Sequence, residues 1–140
     1  MDTETSARVE RERAAWDAVR VDQSFKDRFP AVFENPHLRD CEASFYRRVE
    51  AYAANATVLD YGCFDGQSSA GLLGFGPRAV VGIDVSPAAI ALARARFDDR
   101  RLSFLAADAH RLPFADRSFD LVVGRAILHH LHLDIAYREV

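Results

Sequence analysis

The sequence predicts an α/β fold in which a mostly parallel, doubly wound sheet is covered on both faces and preceded by a helical N-terminal segment. Two observations carry that prediction. After residue 55, short apolar runs alternate with helix-forming stretches, the pattern of repeated strand–helix–strand units. Within those units Asp60, Asp84 and Asp108 stand at or just beyond the ends of successive strands, at equal steps of 24 residues. In an open α/β sheet the ligand crevice lies outside the carboxyl ends of the strands, so equal units set the three carboxylates along one rim.

Residues 1–55 read as a helical cap and residues 56–140 as the sheet domain. Thr5 or Ser6 can cap a helix running to about Arg20, with Val9, Trp16 and Val19 as a sparse apolar stripe. A second helix starts after Asn35-Pro36, where Leu38, Cys41, Phe45, Val49 and Tyr52 recur at three- and four-residue steps. Between them Phe25, Phe29 and Phe33 lie four apart, either as a helical turn packed on the core or as an aromatic lid over a ligand. Thr57, Val58 and Leu59 open a first buried strand, and Val80 to Asp84 form a second. Ser86-Pro87 starts the next helix, serine as cap and proline at the first helical position. Its body, A-A-I-A-L-A-R-A-R-F, is rich in strong helix formers. Leu102 to Ala106 is a third strand and Phe119 to Gly124 a fourth, with Phe119 packed beneath the sheet; a last helix begins near Leu133.

The 140 residues are 49% hydrophobic and 28% charged, which suits one globular domain with its own core. A net charge of −3 gives no electrostatic reason to expect nucleic acid or a membrane surface as partner. No apolar run resembles a signal peptide or a membrane span. Cys41 and Cys63 have no metal-ligand spacing and are too few for a disulfide framework, so the expectation is a reducing, cytoplasmic setting and no metal.

The chemistry concentrates in V-L-D-Y-G-C-F-D-G-Q-S-S, residues 58–69, where an apolar strand runs into a glycine-punctuated loop. Gly62 and Gly66 allow a sharp turn that exposes backbone N–H groups. Asp84 lies 22 residues after Gly62, close to the spacing at which an acidic side chain accepts from both hydroxyls of a ribose. Asp108 can accept from the exocyclic amino group of a purine, and Asp60 can orient the loop or meet a cationic amino group. A nicotinamide dinucleotide fits poorly. The loop lacks the glycine pattern that seats pyrophosphate, and Asp60 and Asp65 add negative charge where phosphates would lie.

From about residue 55 to 135 the chain resembles the class I S-adenosylmethionine-dependent methyltransferases. V-L-D-Y-G-C-F-D-G is similar to that family's V-L-D-x-G-C-G-x-G loop, and V-V-G-I-D-V-S-P-A-A-I-A-L-A-R to its ribose-binding strand and helix. A-D-A-H-R-L-P-F-A-D-R-S-F-D-L-V-V resembles its adenine-binding aspartate and fourth strand, and A-I-L-H-H-L the segment that follows. The resemblance implies a Rossmann-like sheet of order 3-2-1-4 and S-adenosyl-L-methionine as cofactor. By the same resemblance Gly62, Cys63 and Gly66 border the methionine moiety and Asp60 helps orient its amino group. Asp84 holds the ribose hydroxyls, Val85 packs on adenine, and Asp108 accepts from the adenine amino group beside the Ala109 N–H. Arg125 offers its backbone carbonyl near the methionine end. Phe64 departs from the pattern, standing where the family has glycine. Either the loop takes an ordinary backbone path with the ring turned away, or the ring packs against the cofactor. His129 and His130 read either as a catalytic base or as packing residues at a helix start; His110 and His132 add to that choice.

The family's catalytic domain has seven strands, and this sequence ends just after the fourth. The expectation is a cofactor-binding portion without the C-terminal strands, its fourth strand presenting an open edge. Three functions follow from that: the N-terminal part of a methyltransferase acting on a small molecule, a non-catalytic cofactor-binding or assembly module completed by a second copy or a partner chain, and a nicotinamide-dependent enzyme.

Overall fold

The computed structural model describes residues 3–18 and 35–140. The Phe25, Phe29 and Phe33 series and Val19 lie outside them. Helix α1 spans Thr3–Asp17 and α2 spans Pro36–Ala53. Strand β1, Thr57–Tyr61, leads through the glycine loop to α3, Gln67–Leu72, and a 3-10 turn at Leu73–Phe75. Then come β2, Ala79–Asp84, α4, Pro87–Arg96, and β3, Leu102–Ala106. Strand β4 is Leu121–Val123, followed by a 3-10 turn at Leu128–His130 and the single-turn α5 at Leu133–Ala136.

The four strands are parallel in the order β3-β2-β1-β4, as the resemblance implied. Alternation along the strands divides the core between two faces. On one, Val58, Val80 and Val123 pack with Val49 and Ala53 of α2 and Leu72 of α3. On the other, Leu59, Tyr61 and Ile83 pack with Leu131 and Ala136. No helix makes the crossover from β3 to β4 among the described residues. The irregular stretch 107–120 covers that face instead, with Leu112, Phe114 and Phe119 packed on the second core. Phe119 does lie under the sheet, its ring 4.9 Å from Phe114 edge to face. Strand β4 is shorter than the expected Phe119–Gly124: Asp120 leaves the ladder to clasp β1, its N–H donating to the Thr57 carbonyl and its carboxylate accepting the Thr57 N–H at 2.8 Å.

The N-terminal helices differ from expectation in detail. Helix α1 begins at Thr3, so Thr5 is not its cap but a buried residue of its first turns, 1% exposed. The cap of α2 is Asn35, whose side chain accepts from the His37 N–H with Pro36 in the first turn. Only its C-terminal half reaches the sheet. Phe45, Val49 and Ala53 pack there, whereas Leu38, Cys41 and Tyr52 of the supposed stripe are exposed. Ser86 caps α4 as expected, accepting from Ala89 N–H at 3.1 Å. No helix among the described residues is long and apolar enough to cross a membrane.

Candidate functional site at the carboxyl rim

The carboxyl ends of β1, β2 and β3 bring the three aspartates to one rim. Asp60 sits inside it, 2% exposed, and one carboxylate oxygen accepts from Ser68 Oγ at 2.7 Å and Ser69 Oγ at 2.6 Å. Burial raises its pKa above the ordinary 3.8, against the opposing pull of the two serine hydroxyls and Arg125. Asp60 therefore ties the end of the central strand to the start of α3, the loop-orienting role considered from the sequence.

The loop between them turns through left-handed backbone at Gly62 (φ +84), Phe64 (φ +48) and Gly66 (φ +80). The N–H groups of Gly62 and Cys63 both donate to the Ile83 carbonyl, at 2.9 and 2.8 Å, which stitches the loop to β2. A Cβ at Gly62 would lie 2.8 Å from the Ile127 side chain, and one at Gly66 2.8 Å from Ala93 and Phe104. Cys63 is buried, and burial pushes its thiol well up, so it stays protonated and unreactive. Asp65 faces Arg96 of α4 in an ion pair, so its charge is answered outside the rim.

Phe64 does not take the ordinary backbone path that was one of the two expectations for it. Its backbone keeps the left-handed conformation of the glycine it replaces, and its ring packs edge to face on Trp16 of α1, 5.4 Å between centroids. That conformation aims the Phe64 N–H at Asp84 Oδ2, 2.9 Å away. The other Asp84 oxygen accepts from Ser86 N–H at 2.9 Å. Each oxygen keeps a second lone pair for a ligand hydroxyl. Burial raises the Asp84 pKa, with those N–H groups opposing. Val85 follows half-buried.

At the third strand Asp108 Oδ1 accepts from the His110 backbone at 2.8 Å and faces its ring nitrogen at 2.9 Å. The Tyr61 hydroxyl donates to the Ala109 carbonyl, and burial, with Glu139 and Asp108 nearby, pushes its phenol up, so it remains a donor. Arg125 is exposed, and its side chain reaches away to Glu42 at 2.6 Å and the Tyr46 hydroxyl at 3.2 Å, both on α2.

The sequence reading missed what α1 does. It crosses the rim, with Arg8 donating to the His129 carbonyl at 3.1 Å, Glu12 3.0 Å from His130 Nδ1, and Trp16 on both Phe64 and His130. Its last residue, Asp17, accepts from Ser86 Oγ and from the Ala88 N–H at the start of α4. His130 is thus held by Glu12 and Trp16. No cluster suited to a metal ion exists among the described residues.

The rim is a set of hydrogen-bond acceptors, among them the buried carboxylate of Asp60 and the half-buried one of Asp84, whose ionised forms benefit from a nearby cation. Such a surface suits a ligand that is cationic, rich in hydroxyl and amino donors, and free of phosphate. S-adenosylmethionine, with its sulfonium, ammonium, ribose diol and adenine amino group, has that chemistry.

Comparison with known proteins agrees. The methyltransferase domain family matches residues 58–140, more than half of the chain. The chain belongs to the class I S-adenosylmethionine-dependent methyltransferases. It is 39% identical over 67 residues to the O-methyltransferase cnsE of Penicillium expansum, covering 45% of this chain and 24% of that protein. It is 38% identical over 81 residues to the tRNA U34 carboxymethyltransferase of Shewanella pealeana, covering 55% and 24%. The fold matches the N-methyltransferase NodS of Bradyrhizobium japonicum, solved with S-adenosyl-L-homocysteine, with a TM-score of 0.62 and 23% identity over 89% of this chain and 59% of that one. The matched region spans about a quarter of the length of those two curated relatives.

Two measurements check this geometry. Phe64→Gly removes a left-handed cost of about 1–2 kcal/mol and forfeits a ring contact of about 0.5–1.5 kcal/mol, so global stability moves by no more than about 1.5 kcal/mol. Hydrogen exchange across residues 3–17 nevertheless accelerates, because Trp16 of α1 keeps only one of its two ring contacts, that with His130. Asp60→Asn tests the buried carboxylate. Its raised pKa favours the protonated fold, a contribution complete below 3.8 and lost as pH rises through the folded value. The stability of Asp60→Asn relative to wild type, from urea unfolding at a series of pH values, therefore grows as pH rises from about 4 and then levels off.

Proposed function

We propose that this chain is the cofactor-binding portion of an S-adenosylmethionine-dependent methyltransferase whose acceptor is a small molecule. The observation that carries the reading is the rim of Asp60, Asp84 and Asp108 around the glycine loop, within a chain of this family. Asp84 takes the ribose hydroxyls on its remaining lone pairs, and Val85 lies against the adenine face. Asp108 accepts from the adenine amino group and the Ala109 N–H serves the ring beside it. Gly62, Cys63 and Gly66 shape the wall at the methionine moiety, Asp60 offers charge to its ammonium group, and the Arg125 carbonyl closes that end. The bound cofactor supplies a methyl group activated by the sulfonium. The protein's part is to hold an acceptor in line with that methyl carbon and to exclude water, which needs no covalent protein nucleophile.

The small-molecule acceptor is supported by the net charge of −3 and by the packing of α1 on the rim through Trp16 and Asp17. The relatives include both an O-methyltransferase and a tRNA-modifying enzyme, so RNA is the competing acceptor class. A charge-assisted hydrogen bond contributes about 1.5–3 kcal/mol. Calorimetry with S-adenosylmethionine and S-adenosylhomocysteine therefore should show Asp84→Ala binding about 10- to 100-fold more weakly than wild type. Equal affinity in the two proteins would refute the assigned site.

A second reading, a module completed by another copy or a partner chain, is favoured by one observation. Strand β4 pairs only with β1 among the described residues, and Val122 on it is 39% exposed. An uncovered edge of this kind invites pairing. Sedimentation velocity distinguishes the two: this reading expects a concentration-dependent dimer, and a folded species that stays monomeric over the accessible concentration range rules out pairing between copies.

A further inference from the structure

His110 is nearly sealed from solvent, at 6% exposure, yet both ring nitrogens are engaged. The backbone N–H of His132 donates to its Nε2 at 2.9 Å. Nε2 therefore carries the lone pair of a neutral ring, which puts the proton on Nδ1, facing Asp108 Oδ1 at 2.9 Å. The His110 backbone N–H donates to that same Oδ1 at 2.8 Å. Two donors from one residue occupy one oxygen of the carboxylate. Asp108 Oδ2 has no hydrogen bond from the described residues, and the side chain is 21% exposed. The turn around it is held as well, by Arg111 N–H on the Asp108 carbonyl at 3.0 Å and by the Tyr61 hydroxyl on the Ala109 carbonyl.

We propose that His110 is the positioning residue of the base-reading corner. It saturates Asp108 Oδ1 so that Oδ2 alone faces the exocyclic amino group of a purine, and through His132 it anchors that corner to the segment after β4. The inference rests on the reading of Asp108 as the adenine acceptor. A buried imidazole with both nitrogens paired leaves the carboxylate one orientation, and a carboxylate fixed in one orientation discriminates an amino donor from a carbonyl acceptor better than one free to rotate. His110 acts through Asp108 and touches no reacting atom.

Two substitutions separate the halves of that role. The amide nitrogen of His110→Asn stands near the position of Nδ1 and still donates to Asp108, while its reach toward the His132 N–H is lost. The amide oxygen of His110→Gln can accept from the His132 N–H near the position of Nε2, while the side-chain donor to Asp108 is lost and only the backbone N–H remains on Oδ1. The measurement is calorimetric affinity for S-adenosylhomocysteine and for its 6-oxo analogue, S-inosylhomocysteine, with circular dichroism melts to confirm folding. Wild type is expected to prefer the amino compound by about 10- to 100-fold, the effect of setting a carboxylate acceptor against a carbonyl. His110→Asn keeps most of that preference, and His110→Gln brings it to within about 2-fold. Equal preferences in the two folded variants, or no preference in wild type, overturn the proposal. Wild type that binds neither compound refutes instead the cofactor reading on which it rests. A measurement on wild type needs no variant: long-range nitrogen–proton correlation spectra should show His110 as the Nδ1–H tautomer, and an Nε2–H tautomer would equally overturn the assignment.

Discussion

The structure depends on one buried carboxylate. Asp60 lies next to the end of β1 where water is excluded, and a carboxyl group there is tolerated because Ser68 and Ser69 both donate to it. Those serines lie in the first turn of α3, so satisfying the carboxylate fixes where the helix starts and how it lies on the sheet. The Cβ of an alanine at Gly82 would meet Ser69 Oγ at 2.7 Å and Cys63 Sγ at 2.9 Å, which shows how closely the helix and loop press on β2. The glycine loop is the chain that remains between two ends already placed. Its turn, and with it the position of the Phe64 N–H opposite Asp84, follows from that anchoring.

Hydrogen bonding inside the rim then produces a graded set of carboxylates. Asp60 serves the scaffold, Asp84 is shared between backbone N–H groups and whatever approaches from the rim, and Asp108 is half occupied by His110. A residue type that the sequence repeats at equal steps is differentiated entirely by its neighbours. Histidine is differentiated in the same way: His110 is buried and doubly bonded, whereas His130 stands between Glu12 and Trp16 of α1. The ring nitrogen His132 Nε2 is buried and has no hydrogen-bond partner among the described residues.

Much of the fold was legible because it is written in local signals. Parallel strands buried on both faces read as apolar runs, Ser86-Pro87 marks a helix start by capping chemistry alone, and the strand order followed from the family resemblance. The carboxylates were legible because each stands at or within two residues of a strand's carboxyl end. What escaped the sequence is what depends on contacts between distant segments. The stripe on α2 has helical spacing throughout, but of its residues only Phe45 and Val49 pack on the sheet. Phe64 was weighed as a local backbone problem, and its solution lies 48 residues away at Trp16. The pairing of His110 with His132 spans 22 residues and that of Tyr61 with Ala109 spans 48, and neither has a spacing signature.

The left-handed phenylalanine at position 64 makes α1 and the loop two parts of one equilibrium. A glycine there would let the loop hold its shape whether or not the N-terminal helix was present, whereas a ring in that conformation stands in the open until Trp16 covers it. Docking of α1 therefore adds its free energy to the loop geometry that presents an N–H to Asp84, and by reciprocity any ligand that stabilises that geometry also tightens α1. The helix is in this sense a thermodynamic component of the rim, and the affinity of the rim is a property of residues 3–17 as much as of the sheet.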